Sequence, residues 1–129
     1  MATHREQNLS AYRPEIFSLL LSQYASTPVD QQSKRWLLLE AAHVVGQTRL
    51  GPHLRTHLLM FAQARRDRDW REAAGQLFRL AIAPLGHVLG RLPIGNSGRS
   101  DISAFQPMPV RDEVAEIIKH VEFRRNLPH

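Results

Sequence analysis

"EAAHVVGQTRLGPHLRTH", residues 40–57, places three of the chain's seven histidines within eighteen residues, at positions where helical periodicity asks for apolar side chains. Glu40 and His43 are three apart and His53 and His57 four apart, so each pair shares one face of its own helix. Between the pairs, "TRLG" (48–51) supplies a turn, and Pro52 suits a first helical turn, where its missing N–H removes no bond. If the two helices fold back about residue 50, His43 comes opposite His57 and Gln47 opposite His53. The stretch predicts a helical hairpin with imidazoles facing each other across it.

Similar helices are expected on both sides. Pro14 opens a helix to about Ala25, with Ile16, Leu19, Leu20 and Tyr24 at helical spacing. "STPVD" (26–30) ends it, and Asp30 is read as the N-cap of the next helix, residues 31 to 47, which carries Trp36, Leu37, Leu39, Val44 and Val45. The helix from Pro52 runs to about Arg66, and Asp69 caps "WREAAGQLFRLAIAPLGHVLG" (70–90), where Pro84 predicts a kink or a break. The caps Asp30 and Asp69 lie 39 residues apart, a spacing that two stacked tetratricopeptide-like hairpins would produce and that a plain four-helix arrangement fits as well. "RLPIGNSGRSDISAFQPMPV" (91–110) has three prolines and no sustained period, and is read as an ordered arm pinned by Ile94, Ile102, Phe105, Met108 and Val110. "RDEVAEIIKHVEFRR" (111–125) closes the chain as a helix with Val114, Ile117, Ile118 and Val121 on one face.

The expectation is an all-α fold in one domain, residues 1–129. It comprises an antiparallel four-helix core (13–90), the Pro/Gly-rich arm (91–110) and a C-terminal helix (111–125).

Composition removes several functions. With no cysteine, there are no disulfides, zinc–thiolate fingers, iron–sulfur clusters or cysteine nucleophiles. The net charge of +5 rests on fifteen arginines and two lysines and favours acidic partners. In "ARRDRDWRE" (64–72), however, the charges alternate, which fits a capped interhelical turn better than a nucleic-acid surface. The longest apolar run, "LFRLAIAPLGHVLGRL" (77–92), is interrupted by Arg79, Pro84 and His87 and predicts no membrane span. The N-terminus lacks a signal-peptide core, so a cytoplasmic location is expected. "PIGNSGR" (93–99) lacks the Gly-Lys-Ser/Thr ending of a phosphate loop and is read as a turn with Gly95 and Gly98 at positive φ. The serines that follow it lack a nucleophile elbow, so no reaction is assigned.

Reflection through the turn at residues 67–68 carries His87 to the same end of the bundle as His53. The candidate site is then Glu40, His43, His53, His57 and His87. Such neutral imidazoles with one carboxylate suit a divalent zinc, copper, nickel or ferrous ion, and Met60 stands one turn past His57 as a soft contact. Leu54 occupies the place where a zincin needs Glu, and a di-iron site would need a second Glu-x-x-His. The leading expectation is a metal-binding accessory, sensor or buffer protein. The alternative is a helical protein-interaction module, with an acidic partner, whose histidines are structural.

The ordered landmarks "EAAHVVGQ", "GPHLRTHLLM", "RDRDWREAAGQLFR" and "PLGHVLGRLPIGNSGRSDISAFQPMPV", across about residues 29–110, resemble an uncharacterised bacterial domain-of-unknown-function family. The resemblance implies a short helical protein, associates it with heavy-metal-resistance neighbourhoods, and marks Glu40, His43, Gln47, His53, His57, His87 and Asn96 as recurring polar landmarks. It does not extend to the first and last helices.

Overall fold

The computed structural model describes residues 3–90, 96–100 and 109–128, and these form six helices and no strand. They are α1 (His4–Ser10), α2 (Pro14–Ser26), α3 (Gln32–Gly46), α4 (Leu50–Arg66), α5 (Trp70–Leu89) and α6 (Asp112–Arg125).

The structure is organised around α3. Leu38, Leu39, Ala41, Ala42, Val44 and Val45 are all buried, and Glu40 and His43 between them are buried too, so the second half of this helix is enclosed nearly all round. It packs against α1, α2, α4 and α6. Ile16, Phe17, Leu20 and Leu21 of α2 and Val114, Ile118 and Val121 of α6 complete the main core, with Met60 and Ala64 entering from α4. Helix α5 adds only Ala73 to this core and packs chiefly on α4.

A buried polar network joins α2, α3 and α4. Tyr24 Oη and Arg35 Nε each donate to Gln63 Oε1 at 2.9 Å, and Arg35 Nη1 donates to the carbonyls of Tyr24 and Thr27. Gln63 Nε2 and the Trp36 indole N–H then donate to the two carboxylate oxygens of Asp67 in the α4–α5 turn. That turn places Arg68 at φ 59°, and Asp69 caps α5 by accepting from the Glu72 N–H at 3.1 Å.

The expected helices are present, with differences that have physical reasons. Helix α1 was not anticipated; it is stabilised by a capping box in which Thr3 and Glu6 exchange hydrogen bonds. Helix α3 is capped at Gln31, without a side-chain hydrogen bond, and not at Asp30. Helix α4 begins at Leu50, two residues before Pro52, which still falls in the first turn, where proline costs no bond. Helix α5 runs unbroken through Pro84. Of the arm, Gly98 has the expected positive φ (84°) and Val110 is buried, whereas Gly95, Ile94, Ile102, Phe105 and Met108 lie outside the described residues. No described helix is long and apolar enough to cross a membrane.

Because Leu39 is fully buried at the centre of α3, Leu39→Ala should cost about 2–5 kcal/mol of unfolding free energy. Leu58→Ala, at a position 54% exposed, should change it by no more than about 0.5 kcal/mol in the same urea titration.

Candidate metal centre

Histidines 43, 53 and 57 meet where α3 and α4 face each other, each 5% exposed or less. His53 Nε2 lies 3.2 Å from His43 Nε2 and 3.0 Å from His57 Nε2. One nitrogen from each of the three rings falls within 4.8 Å of the others. A tetrahedral ion with bonds of 2.0–2.1 Å to imidazole would separate its nitrogens by about 3.3 Å, close to the two Nε2 separations at His53.

The far side of each ring decides which nitrogen carries the proton. His43 Nδ1 stands 2.7 Å from the backbone carbonyl of Asn96, which can only accept, so Nδ1 is protonated and Nε2 presents a lone pair. His57 Nδ1 stands 2.7 Å from Gln76 Oε1. The amide orientation is fixed by the other end of Gln76, whose Nε2 donates to Glu72 Oε1 at 3.1 Å and to the Gly98 carbonyl at 2.8 Å. His57 Nε2 is therefore also an inward lone pair. His53 Nδ1 lies 2.9 Å from His87 Nε2, so in the Nδ1–H form His53 donates outward to His87 and turns a third lone pair inward.

Three inward lone pairs repel one another unless a cation lies between them. Without one, His53 must carry its proton on Nε2 and share it between two acceptors. The outward bonds to a carbonyl, an amide oxygen and a second imidazole are the contacts that orient and polarise metal-bound histidines.

Residues 96–100 close over this arrangement. Asn96 Oδ1 accepts from the Gly98 N–H at 2.8 Å, and Gly98 lies against the His43 ring, where an added Cβ would fall 2.7 Å from Cδ2. Ser100 donates to Glu72 through both its N–H and its hydroxyl. Arg99 Nε donates to Glu72 at 2.9 Å, while the guanidinium stacks over Trp36 at 3.8 Å from the ring centre.

Burial sets the charge state. It holds His43 well below the ordinary imidazole range, assisted by the charges of His57 and His53 and opposed by the Asn96 bond. Burial, then His57 and His87, bring His53 to about 3. His57 is brought to about 4 by burial, against the Gln76 bond. His87, half-buried, is also lowered by burial. Burial pushes the Glu72 carboxyl up, but the bonds from Ser100 and Gln76 and the charge of Arg99 outweigh it and hold it below its ordinary value. Neutral imidazoles are the form that binds metal.

The five residues singled out from sequence therefore divide. His43, His53 and His57 converge, and His87 touches them through His53. The carboxylate of Glu40 pairs with Arg111 and lies 3.7 Å from Arg99 Nη1. Met60 is buried in the core. His4 and His120 are exposed, and His129 lies outside the described residues. Sequence reasoning missed Gln76 and Glu72; their four-residue spacing puts them on one face of the helix, but does not say that this face is turned inward.

Unfolded imidazoles take up protons below about pH 6.5, whereas folded His57 and His53 do so only near about 4 and about 3. The stability contributed by the neutral cluster is thus complete above pH 6.5 and is lost as pH falls toward those folded values. Chelator-treated protein should show a falling urea midpoint between pH 7 and pH 4.5, and a His53→Gln/His57→Gln variant a shallower fall. A midpoint that stays level or rises over this interval would contradict the assignment of neutral buried histidines.

No curated protein and no solved structure matches the chain significantly. A family model described as "Protein of unknown function (DUF3703)" matches residues 11–118, most of the chain. The chain belongs to that family.

Proposed function

We propose that the chain binds one divalent transition-metal ion through Nε2 of His43, His53 and His57, and serves as a small cytoplasmic accessory, sensor or buffer protein for that ion. The observation that carries this reading is the pair of outward acceptors, Asn96 O and Gln76 Oε1, which turn the lone pairs of two buried histidines toward His53. His87 acts from outside as the acceptor for His53 Nδ1–H. Glu40 belongs to the ion pairs that fasten α6 and residues 96–100 over α3.

A donor set of neutral nitrogens favours zinc, copper, nickel or ferrous iron over calcium or magnesium, which prefer oxygen. With three protein ligands, a tetrahedral ion keeps one exchangeable position, suited to handing the ion on or sensing its arrival. The pairing of α2 with α3 and of α4 with α5 supports a tetratricopeptide-like reading of the two hairpins.

Protein purified without a tag or chelator, then titrated with zinc, copper, nickel and ferrous ions, should bind about one equivalent and gain thermal stability. His43→Ala/His57→Ala should abolish both effects. Gln76→Leu should weaken binding about 10- to 100-fold, because it removes the acceptor that fixes the His57 tautomer. A melting temperature unmoved by every ion would favour the alternative, an interaction module in which the histidines are structural.

A further inference from the structure

Helix α5 is amphipathic in the inverted sense. Its inward face carries Glu72, Gln76 and Arg79, all buried, with half-buried His87 eight residues, or about two turns, further along. Its outward face is apolar: Trp70, Leu77, Phe78, Leu85, Val88 and Leu89 are between 52% and 82% exposed. Ala74 and Ala81, also exposed, lie in the same stripe. At 100° per residue these eight positions fall within about 120° of arc, whereas a surface helix ordinarily turns polar residues to water there. The metal centre occupies the polar residues on the inside, which leaves the apolar ones facing out.

We propose that this face is the interface of a homodimer, in which α5 packs antiparallel against α5 of a second copy. Three observations select a second copy as the occupant.

The first is spacing. Ala74, Phe78, Ala81, Leu85 and Val88 follow one another at intervals of four, three, four and three, the seam of a two-helix coil. The second is shape. Antiparallel pairing with Phe78 set against Ala81 of the other copy also sets Leu85 against its Ala74, so the two large residues at the centre of the seam each meet an alanine. The third is charge. The same register brings Arg71 beside Val88 at the C-terminal end of the opposing helix, where free carbonyls favour a cation.

The area is adequate. Six large side chains of roughly 150–250 Å² each, about half exposed, present on the order of 600 Å² per copy, and pairing two copies reaches the lower range of stable interfaces, about 1,200 Å². A patch this large is at the upper limit for a monomer.

Sedimentation velocity on the full chain, at up to ~100 μM, should show a species of twice the 14.7 kDa chain mass. Phe78→Glu should weaken association by about tenfold or more while leaving the helical circular-dichroism signal unchanged, since Phe78 makes no part of the core. Ala81→Phe should likewise weaken it, and Ala81→Phe combined with Phe78→Ala should recover the dimer by exchanging large for small. A wild-type chain that stays monomeric, or that stays monomeric and instead binds phosphatidylglycerol vesicles, would overturn the proposal. So would a dimer indifferent to Phe78→Glu, and failure of the exchange variant would overturn the antiparallel register. None of these outcomes depends on whether the histidines bind metal.

Discussion

The bond between His57 Nδ1 and Gln76 Oε1 ties the histidine cluster to the fold. It fixes the tautomer of a buried imidazole and so decides that Nε2 faces its neighbours as a lone pair. The same amide reaches Glu72 and the Gly98 carbonyl, which couples α4, α5 and residues 96–100 in one side chain. The bond from His43 to Asn96 repeats the device from the other direction. Together they hold nitrogens at about the separation a tetrahedral ion requires, and in its absence leave a single His53 proton shared between two acceptors.

This constraint reaches outward through α5. To deliver Gln76 and His87 to the histidines, the helix must turn a polar stripe inward, where most helices place leucine and valine. Its apolar residues are then displaced to the outer surface. The core is built instead around α3, with α2 and α6 supplying most of the buried aliphatic side chains. The division explains how a chain of 129 residues can spend several buried positions on glutamine, glutamate and histidine and still bury a contiguous core.

The sequence made the main helices legible because their apolar residues recur at helical spacing and proline or aspartate marks several of their starts. The convergence of His43, His53 and His57 was legible for the same reason: three- and four-residue spacings plus one turn near residue 50 confine them to facing stripes. Helix α1 was missed because "HREQNLS" has a single large apolar residue, although Thr3 and Glu6 carry the capping-box spacing. Glu40 was grouped with His43 on a shared face, yet three residues leave about 60° of rotation between them, enough to turn the carboxylate to Arg111. Gln76 and Glu72 were not recognisable as site residues, since polar side chains on an outer helix ordinarily face water. Their role follows only from the inverted orientation of α5, which depends on its packing against α4.

The histidine cluster is proposed to bind one ion through three imidazole nitrogens. X-ray absorption at the metal edge of the zinc- or nickel-loaded chain tests it most directly, because the outer-shell scattering of imidazole distinguishes histidine nitrogen from water or carboxylate oxygen. About three imidazole ligands at 2.0–2.1 Å are expected for zinc. A spectrum fitted by oxygen ligands alone, or by a single imidazole, would contradict it.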